Sequence, residues 1–170
     1  MPTLHVCPLS RLAETVAATG ASHVLTFVTA GSPVVRPPGI APDHHGVVGI
    51  SDIAEPREGH ILPADEHVAV ILAFVRDWPR DRPLVMQCYA GISRSTAAAY
   101  IAACALSPGR DEGEIARTLR AASPSATPNP KLVAIADRLL GRSGRMVSAI
   151  AGIGRGAEAF EGAPFNLALP

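Results

Sequence analysis

The stretch Leu84-Val85-Met86-Gln87-Cys88-Tyr89-Ala90-Gly91-Ile92-Ser93-Arg94-Ser95 decides how the rest of the chain is read. An apolar run of strand character ends at a cysteine, and an arginine and a hydroxyl follow after five intervening residues. From Thr96 to Leu106 the chain is alanine-rich and apolar, which suits a buried helix. The order is therefore strand, loop, helix, with Cys88 at one end of the loop and Arg94 at the other. A loop that opens a helix aims backbone N–H groups at one spot, where the helix start adds partial positive charge. Such loops bind phosphate-like anions. Arg94 adds a planar fork that can hold two oxygens at once, and Gly91 allows a tight turn. The same field favours the thiolate, the nucleophilic form of cysteine. Shifting a thiol from about 8.5 to about 5 takes roughly 4–5 kcal/mol. A helix end supplies about 2 kcal/mol at best. The loop amides and the arginine must therefore provide most of the effect, so cysteine and arginine have to close one loop.

Cys88-Tyr89-Ala90-Gly91-Ile92-Ser93-Arg94-Ser95 resembles the Cys-x5-Arg-Ser/Thr signature of the cysteine-dependent protein tyrosine phosphatases. It is most similar to their dual-specificity and bacterial tyrosine phosphatase branch. A bare Cys-x5-Arg is unspecific. The glycine at the third x, the serine after the arginine, the strand before and the helix after sharpen it. The resemblance spans roughly Thr3 to Leu140, with only the loop sharply matched. It implies an α/β single-domain phosphatase fold, in which a mostly parallel four-stranded central sheet is flanked by helices on both faces. It also implies hydrolysis of phosphomonoesters through a phosphocysteine on Cys88, with no metal and no cofactor. Tyr89, Ala90, Gly91, Ile92, Ser93 and Arg94 would cradle the phosphate, and Ser95 would donate a hydrogen bond to the departing sulfur. Gln87 stands where the family usually has a histidine that orders the loop. Glutamine can still donate hydrogen bonds but carries no charge.

With 170 residues the chain has length for one domain and a real core. Its formal net charge is zero, so no basic field recruits nucleic acid or an acidic membrane. Aromatic residues are only 4% of the chain, which also argues against base stacking. The three cysteines form no paired spacing, which fits a reducing, cytoplasmic setting rather than a disulfide scaffold. No signal peptide and no membrane-spanning apolar run are recognised.

Along the chain, Thr3–Cys7 reads as a first strand. A helix capped by Ser10 and ended by Gly20 follows, then a second strand over His23–Thr29. Gly31 to Gly46, rich in proline and glycine, is a long loop. Val47–Ile50 is a short third strand. Pro63 suits the first position of a helix in which Val68, Ile71, Leu72 and Val75 share one apolar face. Asp111–Ala122 and Asn129–Leu140 are two further helices, the second with Asn129 as cap and Pro130 at its first position. Residues 1–141 are assigned to the phosphatase domain and residues 142–170 to a C-terminal extension packed on or trailing it, with Met146, Val147 and Ile150 suggesting one more helix. Gly152–Gly156 follows a helix-like stretch rather than a strand and is discounted as a nucleotide loop.

A phosphatase needs a general acid for the leaving oxygen. Asp52, just past the third strand, lies on the same sheet edge as Cys88 and matches where the family keeps its mobile acid; Glu55 and Glu58 are the reserves. Asp52 could also simply satisfy N–H groups of its own loop. Trp78-Pro79-Arg80-Asp81 imitates the acid loop of larger tyrosine phosphatases, but Asp81 precedes the Cys88 strand and belongs at the opposite edge, roughly 17–20 Å away by strand rise. Asp43-His44-His45 reads as a surface loop or strand entry rather than a metal site. Cys7 and Cys104 read as core residues, Cys104 about 15 Å along the helix and Cys7 two strands from Cys88 by the family order. The expected partner is a phosphorylated protein or a small phosphoester, and the expected state a monomer. The rivals are a catalytically weak or inactive phospho-binding module, a phosphoinositide or small-phosphoester phosphatase, and a rhodanese-like sulfur-transfer loop. The missing lysines in the loop weigh against inositol phosphates, and rhodanese loops are typically one residue shorter.

Overall fold

The structure, a computed structural model, describes residues 1–169. Its elements run β1 (Thr3–Pro8), α1 (Leu12–Thr19), β2 (His23–Val28), β3 (His45–Gly49), α2 (Asp65–Asp77), β4 (Leu84–Cys88), α3 (Arg94–Leu106), α4 (Glu112–Ala122), α5 (Pro130–Leu139), α6 (Arg145–Ile153) and β5 (Phe165–Ala168). The expected four parallel strands are present, with β4 central; they run in the order β3-β2-β4-β1, and a fifth, β5, adds antiparallel to β1. Cys88 ends the central strand at its carboxyl edge, where open parallel sheets hold their sites.

The period-2 alternation of the strands divides the core. Leu4, Val6, Leu25, Phe27, Leu84, Met86 and Cys88 join a large apolar cluster with α2 to α6. Cys7, Val24 and Val85 face the other way, against Leu12 and Val16 of α1 and against Ile40. The alanines of α3 explain its central place. Residues 97–104 are all buried, and side chains this small let one helix lie close to the sheet with α2, α4 and α5 around it.

Several local expectations shift. Ser10 does not cap α1; it sits in a 3₁₀ turn over Leu9–Arg11, α1 starts at Leu12, and the Ser10 hydroxyl donates to Glu161 Oε2 at 2.8 Å. Pro63 stands two residues before α2, one before its cap Ala64. Asn129 caps α5 as expected, its Oδ1 accepting from the N–H groups of Lys131 and Leu132. Cys7 is not two strands from Cys88, because β1 lies beside β4 with Cys7 opposite Gln87. The two sulfurs are kept apart by facing opposite sides of the sheet.

The C-terminal residues are fastened to the rest by a buried ion pair. Arg142 donates from Nη1 to Glu112 Oε1 and from Nη2 to the Cys104 carbonyl, both at 2.8 Å, and Arg145 reaches the same carboxylate at 3.2 Å. Burial by itself would raise the Glu112 pKa. The bonds from Arg142, from its own backbone N–H and from Arg145 outweigh burial and leave it below the usual glutamate range. A depressed folded-state pKa means that this stabilisation is complete above the unfolded value of about 4.3 and is lost as the pH falls through the lower folded value. Arg142→Met is expected to cost about 3 kcal/mol by urea denaturation at neutral pH, because a buried carboxylate loses its main partner. The deficit should shrink on acidification, and a deficit independent of pH would contradict the assignment.

Candidate active site

The loop after β4 is shaped from outside. The Tyr89 carbonyl accepts from Leu9 N–H at 3.1 Å and the Ala90 carbonyl from Gly162 N–H at 2.7 Å. The Ile92 carbonyl accepts from Thr127 N–H at 2.9 Å and from Thr96 Oγ1 at 2.6 Å, and the Ser93 carbonyl from the N–H groups of Ala97 and Asn129. The C=O and N–H of a trans peptide point in opposite directions, and no peptide bond among the described residues is cis. Four carbonyls tied outward therefore turn the N–H groups of Ala90, Gly91, Ser93 and Arg94 inward. Gly91 N–H points at Cys88 Sγ, 3.3 Å away. Gly91 also has φ +66°, and a Cβ there would stand 2.7 Å from Pro8 N, so glycine is required twice over.

Cys88 lies at the floor of this nest, 2% exposed, with Ser95 Oγ 3.0 Å from its sulfur. Arg94 is folded in rather than turned to solvent. Its Nη1 donates to the Ile50 carbonyl at 3.0 Å, while its Nε is buried without a partner among the described residues. Such a donor is costly unless something fills the site. Asp52 Oδ1 accepts from Ser93 Oγ at 2.7 Å and from Asn129 Nδ2 at 3.0 Å. The structure thus brings Asp52 to the loop; Glu55 and Glu58 are exposed and make no hydrogen bond to it.

The Gln87 amide is buried on the opposite face of β4, and neither its oxygen nor its nitrogen has a hydrogen-bond partner among the described residues. It does not take over the ordering role that a donor at this position could play. Asp81 lies before β4, at the far edge from Cys88. His44 stacks on His23 with ring centroids 4.0 Å apart, and His45 Nε2 lies 2.9 Å from Thr26 Oγ1.

Two contributors escaped the sequence reading. Asn129 uses its oxygen for α5 and its nitrogen for Asp52 and the Ile53 carbonyl. The segment 154–164 between α6 and β5 runs as a strap beside the loop. It is bound through Gly154 O to Arg120, Gly156 N–H to Thr127 Oγ1, Ala157 N–H to the Pro124 carbonyl and Gly162 N–H to Ala90. A Cβ at Gly162 would meet the Gly91 carbonyl at 2.9 Å. Gly162→Ala is therefore expected to displace the loop and weaken tungstate binding about 10- to 100-fold, read by calorimetry. Unchanged affinity would show that the strap does not hold the loop.

No protein-family profile matches the chain, and no curated protein matches it significantly. Solved structures do. DUSP15 superimposes with a TM-score of 0.65 at 17% identity, over 89% of this chain and 92% of that one. Human DUSP28 gives 0.60 at 19% identity, over 89% and 95%. The human tyrosine phosphatase-like serine/threonine/tyrosine-interacting protein gives 0.63 at 14% identity, over 82% and 92%. The chain has the dual-specificity phosphatase fold. In this phosphatase fold Cys88 closes the central strand, and the nest opens α3. Among the described residues no helix is long and apolar enough to cross a membrane.

Proposed function

We propose that the protein is a cysteine-dependent phosphatase that hydrolyses phosphotyrosine, through a phosphocysteine on Cys88. The observation that carries this is the set of four outward-tied carbonyls around a cysteine and an inward-folded arginine with a free buried Nε. A tetrahedral dianion would receive the inward N–H groups and the Arg94 fork. Cys88 sulfur attacks phosphorus in line, the phosphorus–oxygen bond breaks, and Asp52 gives its proton to the leaving oxygen. Water then attacks the phosphocysteine and gives a proton to Asp52. The sulfur leaves as thiolate, eased by Ser95. Positive charge comes from the loop amides and the guanidinium, so positioning and electrostatics carry the reaction.

Asp52→Asn is expected to lower kcat on a phosphotyrosyl peptide about 10²-fold. An unchanged kcat would exclude Asp52 as the acid. The unpaired Gln87 amide favours one second reading, a phosphate-binding module of low turnover. Tungstate binding by the wild type without hydrolysis of any aryl phosphate would select it.

A further inference from the structure

The phosphate loop is gripped from two sides by segments from opposite ends of the chain. On one side the turn after β1 gives Leu9 N–H to the Tyr89 carbonyl at 3.1 Å. On the other the strap gives Gly162 N–H to the Ala90 carbonyl at 2.7 Å. Gly91 lies between these jaws. A Cβ on it would stand 2.7 Å from Pro8 N, and a Cβ on Gly162 would stand 2.9 Å from the Gly91 carbonyl oxygen. The jaws are also joined to each other. Ser10, next to Leu9, donates from Oγ to Oε2 of Glu161, next to Gly162, at 2.8 Å. Arg11 does not compete for Glu161, because its guanidinium is bound to Glu14 on α1.

Successive N–H groups that converge on one point carry like partial charge, and an anion or an outside tether is needed to hold them so. The two tethers differ in how they are anchored. The turn continues β1, whose last residue, Pro8, lies opposite Cys88 in the sheet. The strap belongs to no helix or strand, so Gly162 keeps its place through local bonds. We infer that Ser10 and Glu161 are positioning residues for the phosphate loop. Their bond locks the strap against the β1 turn, which keeps the Ala90 carbonyl tied outward and the Gly91 N–H turned to Cys88 Sγ. Neither residue belongs to the nest, and both act through Gly162. The lock is one solvent-facing hydrogen bond, so it tunes anion affinity by a modest factor. The inference rests on the phosphatase reading above only in taking the nest to bind a phosphate-like anion.

The test measures tungstate Kd by calorimetry in wild type, Ser10→Ala, Glu161→Ala, the double variant and Glu161→Gln. Each alanine variant is expected to raise Kd about 3- to 10-fold. The double variant should lose no more than either single one, because both remove the same bond. Glu161→Gln keeps an acceptor oxygen and should stay within about twofold of wild type. Hydrogen exchange at the Gly162 amide should speed up in Glu161→Ala and slow again with tungstate, since the lock and the anion favour one loop conformation. An unchanged Kd in both folded alanine variants overturns the inference, as do additive losses in the double variant or a Glu161→Gln that fails like Glu161→Ala. Each of these leaves the phosphatase reading standing. A wild type that binds tungstate but hydrolyses no aryl phosphate overturns that reading, and the lock is then decided by the Kd values alone. A wild type that binds no tungstate overturns both.

Discussion

Cys88→Ser is expected to reduce hydrolysis of an aryl phosphate by at least about 10⁴-fold, because a serine hydroxyl in this nest has no base beside it to make it a nucleophile. Tungstate should still bind, since the inward N–H groups and Arg94 do not depend on the sulfur. The other two cysteines make sharp controls. Burial pushes the Cys7 thiol up to about 11, against a smaller opposing contribution from Thr15, and pushes Cys104 up to about 11 against Tyr100 and Arg142. Both are protonated at neutral pH and sit in apolar surroundings, so Cys7→Ser and Cys104→Ser should keep their activity wherever they fold. Hydrolysis that survived in Cys88→Ser and vanished in either control would place the nucleophile elsewhere.

Arg94→Lys is expected to lower kcat/KM about 10³-fold with the charge preserved. The reason is geometric. Arg94 has Nη1 fixed to the Ile50 carbonyl and Nε buried without a partner among the described residues. On the proposed reading, that tether would hold the planar fork ready for two phosphate oxygens. A lysine ammonium is a point donor on a flexible stem, and it cannot hold Ile50 and clamp two oxygens together. A loss confined to about threefold would mean that charge alone, without the fork, does the binding.

The loop from Cys88 to Ser95, with the strand before it and the helix after it, was legible because it is local. Cys88 to Ser95 is one loop between a buried strand and a buried helix, and short-range pattern reports such segments faithfully. Asp52 was legible from its place past β3, although its partners were not. Ser93 and Asn129 stand 41 and 77 residues away from it, and the Asn-Pro pair signals only a helix cap. The strap was hidden for a related reason. It is held by backbone groups, Gly162 to the loop and Gly156 and Ala157 to Thr127 and Pro124, which leave no side-chain signature. β5 is four residues long and lies among prolines and glycines. Its alternation of buried Phe165 and Leu167 with exposed Asn166 and Ala168 becomes meaningful only beside β1. The placing of Cys7 two strands from Cys88 went wrong because chain order does not give strand order: β4 inserts between β1 and β2.

The most direct test of the central claim is rapid acid quenching of wild-type protein during turnover of a phosphotyrosyl peptide, with the phosphoryl group located by mass spectrometry. The phosphatase account predicts one phosphoryl group on the peptide that contains Cys88. Turnover of the wild type that leaves Cys88 unmodified at every quench time would contradict it.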